Sequence, residues 1–527
     1  MVYIALFVGA FLLLFCNLDG RLFWGDEAET ATLARNVLRF GIPRTFDGAN
    51  RLSLYGAGFD ANAHDVWTWS PWLQQYIAAA GFYMFGPTTW AGRVLFALVA
   101  WGSLGLLALV AWRIYRDHRV AIAASLLVAT SEVFLLHARQ CRYYSVSVLG
   151  EILFIYGIYQ LLAGKRAGTW TLSLALVLQF YSNYIVAAAN LPLLAPLAWT
   201  LCKKQKPMAF RVVLSVVLLC VCAIPWVLYA HSWRQSGALT HQNLAWKAWY
   251  YLSEFNFHLM PWSFLLLPAA GVLVRRRLAR TNKATVGREL EAATKTGACP
   301  VNKPGTSAES PETIRPFEIH LSLLLPLYIL VILAPPGTFI RYLLPLLPVA
   351  CLLGAAWVFR YVRRMSLAMG LVGVQCACNL FAIAPFYPLK GEHTFRWPFI
   401  EYVTHFTRPY TDRCADVVGF LNQAAKPGQT VAVSDPEFPL KFYTPLRVLD
   451  ARFETITQPL PEWILSESAS GVVNQHPLEL PQVLAPFYEP ITIQVHASPR
   501  RASIPEPDTW QYETTTNKAP FIIYRKK

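Results

Sequence analysis

Long apolar stretches alternate with short basic connections along most of this chain. The clearest apolar runs lie near residues 92–112, 120–137, 144–163, 184–201, 212–229, 341–359 and 367–385. Shorter ones lie near 1–16, 170–181, 261–274 and 320–334. A helix that crosses a bilayer needs about 20 mostly apolar residues. The pattern therefore predicts a mainly α, polytopic membrane protein with about eleven spans. The run from Val2 to Cys16 lacks a basic leader and a clear small-residue cleavage site, so it reads as an uncleaved first span and not as a signal peptide. No repeated halves and no low-complexity tract interrupt the pattern.

Basic clusters set the orientation. They occur at Arg113, Arg116 and Arg119, at Lys165 and Arg166, and at Lys203, Lys204, Lys206 and Arg211. Two more are Arg360, Arg363 and Arg364, and a long segment over 275–319 that opens Arg275-Arg276-Arg277. By the positive-inside rule these five connections are expected in the cytoplasm. The amino terminus is then inside. The loops 17–91 and 230–260 and the tail 386–527 are then outside, in the periplasm or the extracellular space. Segment 275–319 is weakly apolar and reads as a cytoplasmic linker.

Composition agrees. Hydrophobic residues make up 55% of the 527 positions and charged residues only 15%. That is too little charge for an ordinary soluble surface and too much apolar character for disorder. The formal net charge is +15, which on its own would admit a nucleic-acid partner. The five proposed cytoplasmic connections, however, carry the whole of that excess, and the remainder of the chain is balanced. The charge is a topology signal, and no nucleic-acid partner is expected. Most of the ten cysteines lie inside apolar runs, where they act as small apolar residues. Cys141 and Cys414 are the one plausible disulfide pair outside them.

The tail has soluble composition. Residues 412–425 read as a helix, and 430–435, 446–450, 491–495 and 521–524 read as strands. Residues 386–527 are thus expected to form a small extracytoplasmic α/β domain beside a membrane domain spanning 1–385. No Gly-rich phosphate loop marks it as a nucleotide site.

The first outer loop carries the candidate chemistry. After Asp26, residues Ala31, Leu33, Ala34, Val37 and Leu38 keep helical spacing, and Gly41 and Pro43 end the helix. Asp26 and Glu27 then sit at a helix start just beyond the first span. Two roles fit Asp26. With Glu29 three residues on, it resembles a capping box and suits the helix dipole. At the membrane boundary it is also well placed as a general base. Further on, Ser70 can cap and Pro71 can open a second helix running to Gly86. Trp67, Trp69 and Trp72 suit a helix lying in the interface, and Asp65 is a second acid in this loop. The loop 230–260 is aromatic as well, with Trp233, Trp246, Trp249, Tyr250 and Tyr251 beside His258.

The order of motifs is GDEAETATLARNVL, then DVWTWSPWLQQYIAAAGFYMFG, then ARQCRYYSVSVLGEILFIY at 138–156, then IRYLLPLLPVACLL at 340–353. It resembles the GT-C membrane glycosyltransferases of the protein O-mannosyltransferase and aminoarabinose transferase kind, glycosyltransferase families 39 and 83, in their bacterial branch. There an Asp-Glu pair opens the first outer loop and a Pro-containing amphipathic helix follows. An Arg-x-Tyr or Arg-Tyr pair is typical at the first of the two later stretches, and Arg-Tyr followed by Leu-Pro-rich sequence at the second. Many relatives carry Lys or His before a Pro-Pro pair in the second loop helix. This chain has Trp69-Ser70-Pro71-Trp72, so that cation is missing.

The resemblance implies an integral enzyme of the cytoplasmic membrane. It implies transfer of a sugar from a polyprenyl-phosphate donor to a hydroxyl of a glycan, lipid or protein acceptor on the outer side, with inversion. Such a reaction needs a base, a cation for the leaving phosphate and a cavity that excludes bulk water. The implied base is Asp26, with Glu27 positioning the acceptor or supporting Asp26. The implied phosphate cations are Arg142 and Arg341, next to Tyr143 and Tyr342; anchoring at the headgroups is the other role open to such arginines. Arg139 is a weaker candidate. Asp65, Trp69 and His258 are candidate substrate contacts, and His137 is a weaker one. No zinc motif is present. No obligatory metal is expected, although Asp26, Glu27 and Asp65 could supply oxygen ligands to Mg or Mn. A transporter or flippase of lipid-linked sugars would instead predict paired halves and broken mid-membrane helices. A non-catalytic assembly protein would make the Asp-Glu pair purely structural.

Overall fold

The structure is a computed structural model. It describes residues 1–53, 59–233, 243–266, 311–335, 337–383, 395–433, 437–451, 459–465, 467, 469, 484–497, 507 and 516–527. Most of the proposed cytoplasmic linker, and most of the apolar run 261–274, lie outside these residues.

Helices dominate. α1 is Val2–Phe15, α2 Gly25–Phe40, α3 Leu73–Phe85, α4 Thr89–Tyr115, α5 His118–Ala129, α6 Glu132–His137 and α7 Tyr144–Leu162. α8 is Ala167–Ser182, α9 Tyr184–Lys204, α10 Lys206–Ala230, α11 Leu244–Glu254 and α12 Pro311–Ile332. α13 is Leu346–Tyr361, α14 Met365–Ala377, α15 Leu380–Ile383, α16 Pro398–Phe406, α17 Arg413–Ala424 and α18 Phe438–Tyr443. Five of them, α4, α7, α9, α10 and α12, are long and apolar enough to cross a membrane. Four shorter apolar helices, α1, α5, α13 and α14, accompany them. The sequence expectation of about eleven spans exceeds these five.

Part of the difference has a local cause. The run 120–137 is not one helix: it breaks at Thr130, and Ser131 caps α6 by accepting the Phe134 N–H. The run 341–359 opens with a 3-10 turn, Ile340–Tyr342, before α13 begins. The run 367–385 is divided between α14 and α15.

The bundle core is built from Ala, Leu, Ile and Val of α4, α5, α7, α8, α9 and α13 with buried aromatics. Small residues let helices approach closely, as helix pairs in lipid require. A Cβ on Gly157 of α7 would stand 2.9 Å from the Leu172 backbone nitrogen of α8, so a larger residue there would force the two helices apart.

The tail forms a five-stranded sheet. Its strands are β1 Thr430–Val433, β2 Arg447–Asp450, β3 Trp463–Leu465, β4 Tyr488–His496 and β5 Lys518–Lys526, in the order β2-β1-β3-β5-β4. β1 pairs in parallel with β2 and β3, and β5 pairs antiparallel with β3 and β4. The four strands expected from sequence are present; the short β3 and helix α18 are additions.

The tail packs on the loop 17–91 between α1 and α4. Phe442 of α18 meets Phe23 and Phe82 with ring centroids 5.1 and 5.9 Å apart. The Tyr443 hydroxyl accepts the Phe23 N–H at 2.9 Å and lies 2.7 Å from the Thr89 hydroxyl. Arg35 of α2 donates to the carbonyls of Lys441 and Phe442. The buried Asn50 amide donates to the Leu446 carbonyl and accepts from Val448, so it joins the edge of β2 to the loop. Cys141 and Cys414 are both free, so the suggested disulfide is not formed.

Candidate active site

α2 places the acidic motif. Its N-cap is Trp24, with no side-chain capping bond, and Asp26 and Glu27 occupy the first turn. The capping box suggested by Asp26 and Glu29 is therefore not formed. Gly41, at φ 78°, ends the helix in the left-handed conformation that glycine adopts without strain. The second loop helix starts at Leu73, behind Trp72, and not at Ser70. The Ser70 hydroxyl instead accepts from the Trp67 indole at 2.9 Å.

Successive residues of α2 point to different partners. Glu27 is fully buried and forms a two-pronged pair with Arg93 of α4, at 2.8 and 2.6 Å. It also accepts the Cys141 N–H at 2.8 Å. Arg93 spends its remaining donors on the carbonyls of Leu18, Arg21 and Leu22. Glu27 thus has no open face toward a substrate. It locks the start of α2 to α4 and to the segment before α7.

Asp26 faces elsewhere. Its carboxylate Oδ2 lies 3.5 Å from Arg142 Nη2 and 3.5 Å from Arg341 Nη2. Arg142 Nη1 also donates to the Asp26 carbonyl at 3.0 Å, to Glu29 at 2.9 Å and to the Thr30 hydroxyl at 3.0 Å. The Asp26 side chain keeps 26% of its surface exposed, against 12% for Arg142 and 14% for Arg341. Two cations and two acids from three distant parts of the chain thus meet in one largely buried group, with the Asp26 carboxylate as its open edge.

Aromatic and amide groups frame this cluster. The Arg341 guanidinium lies 3.9 Å from the Phe339 ring centroid and 5.6 Å from that of Trp24. The Trp24 indole donates to Gln140 at 3.0 Å. The Tyr143 N–H donates to buried Gln74 of α3 at 3.1 Å, and Tyr143 stands 4.6 Å from Tyr144, centroid to centroid. Tyr143 and Tyr342 both lie near enough to Arg341 and Asp26 to feel their charges.

Glu29 was not singled out as a site residue from sequence, and neither was Asp60. Burial pushes the Glu29 carboxyl up to about 7, against the pull of Arg142, and the negative charges of Asp26 and Asp60 push the same way. Asp60 is itself buried and accepts from Ser53 at 2.9 Å. The signal for Glu29 was its spacing, since residues three apart share a helix face. Asp60 sits in an irregular loop, where no periodicity marks it.

The other sequence candidates fall in other settings. Asp65, with a left-handed backbone, pairs with Arg51. The Trp69 ring packs on Phe59 at 5.6 Å, and its carbonyl accepts from Tyr184. His258 stands 3.8 Å from Glu254 in a second cleft whose lining includes Thr130, Glu132 and Asn379. His137 is buried, with Nδ1 2.9 Å from the Val133 carbonyl. Arg139 donates to the carbonyls of Cys16 and Asn17, and so ties down the end of α1. Among the described residues no group of three or more His, Cys, Asp or Glu is placed to hold a metal ion.

The fold, a helical bundle with an acid-bearing loop between α1 and α4 and a small terminal sheet, bears out the GT-C resemblance. It is similar over its whole length to ArnT from Cupriavidus metallidurans. The crystal structure of ArnT bound to undecaprenyl phosphate superposes with a TM-score of 0.57 at 13% identity, covering 99% of this chain and 98% of that one. The apo structure gives 0.57 at 14% identity, covering 99% and 97%. At these identities the likeness is one of fold. No family model and no curated protein matches the sequence.

Proposed function

We propose that this chain is a membrane glycosyltransferase. It transfers a sugar from a polyprenyl-phosphate donor to a hydroxyl acceptor at the outer face of the cytoplasmic membrane. The observation that carries this reading is the Asp26 carboxylate held between Arg142 and Arg341 at the open edge of a buried cluster. The ArnT fold supports it, because ArnT has been crystallised with undecaprenyl phosphate.

The chemistry follows from the cluster. At neutral pH a carboxyl with a pKa near 7 is partly protonated. Two arginines facing Asp26 and a partly neutral Glu29 leave surplus positive charge. A donor phosphate supplies the missing anion and engages the planar guanidinium forks. It competes with Asp26 for both arginines, and Asp26 is then free to take a proton.

In the transfer step the acceptor oxygen bonds to the anomeric carbon and its proton passes to Asp26. The bond from that carbon to the phosphate oxygen breaks with its electron pair. The polyprenyl phosphate leaves against Arg142 and Arg341. Attack from the face opposite the leaving group inverts the anomeric centre. Tyr143 and Tyr342 line the phosphate side, and Glu27 positions α2. Residues 1–385 form the catalytic membrane part, and residues 386–527 an extracytoplasmic domain seated on the outer loop.

The metal requirement is tested with excess chelator, which is expected to leave transfer intact. The function itself is tested with the purified full chain, undecaprenyl-phosphate-linked sugars and extracted envelope acceptors. Release of undecaprenyl phosphate coupled to a glycosylated product supports the reading. Movement of the intact lipid-linked sugar across a sealed bilayer, without bond cleavage, replaces it with transport.

A further inference from the structure

A second buried acid lies inside the bundle, on α7. Glu151 is fully buried and sits ~10 Å along that helix from its Tyr144 end. Gln179 of α8 donates to Glu151 Oε2 at 2.9 Å, and Asn190 of α9 donates to the same oxygen at 2.6 Å. Both amide side chains are fully buried as well. Gly150 lets α8 come this close, since a Cβ there would stand 2.9 Å from Gln179 Cγ. Tyr328 of α12, also fully buried, is near enough to feel the Glu151 charge. α7, α9 and α12 are three of the five helices long and apolar enough to cross a membrane.

Four oxygens at this junction are unanswered. Among the described residues, Glu151 Oε1, Gln179 Oε1, Asn190 Oδ1 and the Tyr328 hydroxyl have no hydrogen-bond partner. Both amides spend their nitrogens on the carboxylate, which fixes their orientation. Their oxygens therefore lie one amide width from those contacts. The first three oxygens can only accept, and the hydroxyl can accept too. Buried polar groups are almost always paired, and a buried carboxylate needs a counter-charge. Among the described residues, no Arg or Lys bonds to Glu151.

The kind of partner follows from this inventory. A proton on Glu151 would answer one acceptor. A water would answer two and leave the charge uncompensated. A single cation can be coordinated by all four oxygens at once. One positive charge balances one carboxylate, whereas a divalent ion would leave net charge in an apolar bundle. Carboxylate and carbonyl oxygens suit hard cations, and ionisable groups within spanning helices mark ion sites. We propose that Glu151, Gln179, Asn190 and Tyr328 form a buried site for a monovalent alkali cation of the sodium class, which ties α7, α8, α9 and α12 together. The site is independent of the chemistry proposed at Asp26.

The test is equilibrium binding of radioactive sodium to the purified full chain in detergent, with choline holding the ionic strength constant. Thermal unfolding is followed on the same samples. The parent is expected to bind sodium saturably. Raising sodium from about 1 to about 100 mM should raise its unfolding temperature by several degrees. Glu151→Gln keeps the shape but removes the charge, and should weaken binding by about tenfold or more. Asn190→Leu keeps the charge, removes one oxygen and should weaken binding as well. Asp117→Asn, at the N-cap of α5, serves as an acid control and should bind like the parent. Absence of saturable binding to the parent overturns the proposal, and this arm stands even if a variant fails to fold. Equal binding by the parent and a folded Glu151→Gln protein overturns it too. Unfolding that responds to pH through Glu151 but not to sodium replaces the cation with a proton.

Discussion

Arg142 touches Asp26 at two points, donating to its carbonyl at 3.0 Å and standing 3.5 Å from its carboxylate. One guanidinium therefore fixes both the backbone and the charge of the acidic motif. The same group holds Glu29 at 2.9 Å. Arg341 completes the cluster from the 3-10 turn Ile340–Tyr342 that precedes α13.

The two arginines are expected to be irreplaceable by lysine in donor use. An ammonium keeps the charge but loses the fork of donors that serves Asp26, Glu29 and a phosphate together. Hydrogen bonds to charged groups are worth about 1.5–3 kcal/mol, so Arg142→Lys or Arg341→Lys should raise the donor KM or lower kcat/KM by roughly ten- to a hundredfold. Steady-state kinetics against donor concentration measure this. Unchanged donor dependence would reduce both residues to headgroup anchors.

The Glu27–Arg93 pair should behave as a buried structural lock. Removing one partner leaves an uncompensated buried charge, which costs about 3–5 kcal/mol. Arg93→Met should therefore lower the unfolding temperature in detergent sharply. Arg93→Met combined with Glu27→Leu should recover much of the loss, because the stranded charge is gone. A single variant as stable as the parent would contradict the lock.

Glu29 gives the cluster a pH dependence with a definite sign. Its folded pKa, about 7, is raised above its ordinary value of 4.5. The stability tied to its proton is full below about pH 4.5 and is lost as pH rises through about 7. Donor affinity should fall over the upper part of that window, as Glu29 ionises and competes with the phosphate for Arg142. Glu29→Gln should flatten both curves between those limits while still accepting from Arg142. Binding isotherms and thermal unfolding across pH 4.5 to 8 measure it, and identical slopes in parent and variant would refute the assignment.

The tail should depend on two polar residues, Tyr443 and Asn50, for its seat on the loop 17–91. Tyr443→Phe leaves the Phe23 N–H and Thr89 hydroxyl without a partner, and Asn50→Ala removes the bridge to β2. A stranded buried donor costs about 1–3 kcal/mol, so each variant should expose the tail to limited proteolysis sooner. Unaltered cleavage kinetics would show that Tyr443 and Asn50 do not hold it.

Much of this arrangement is legible in the sequence where a period carries the information. The apolar runs mark α4, α7, α9 and α10 closely. The helical spacing after Asp26 marks α2, and alternation marks β4. The Arg-Tyr pairs at 142–143 and 341–342 do meet at Asp26. Periodicity does not report which residue of a first turn faces which neighbour. Asp26 and Glu27 are adjacent in sequence, yet one faces the arginine pair and the other is sealed against Arg93. Glu29 reads as a capping partner because its spacing is the same for a cap and for a shared helix face. Asp60 and the break at Thr130 carry no periodic signal, since each depends on tertiary partners.

The central claim is that Asp26 is the base and that it shares its two arginines with the donor phosphate. Asp26→Asn separates these roles in one experiment, because Trp24, and not Asp26, is the N-cap of α2, so the change spares the helix start. The measurement is undecaprenyl phosphate affinity and sugar transfer on the same preparation of Asp26→Asn. Removing the competing carboxylate should leave affinity equal or tighter, while transfer falls by about 10²–10⁴-fold. Near-normal transfer by a folded Asp26→Asn protein would contradict the account.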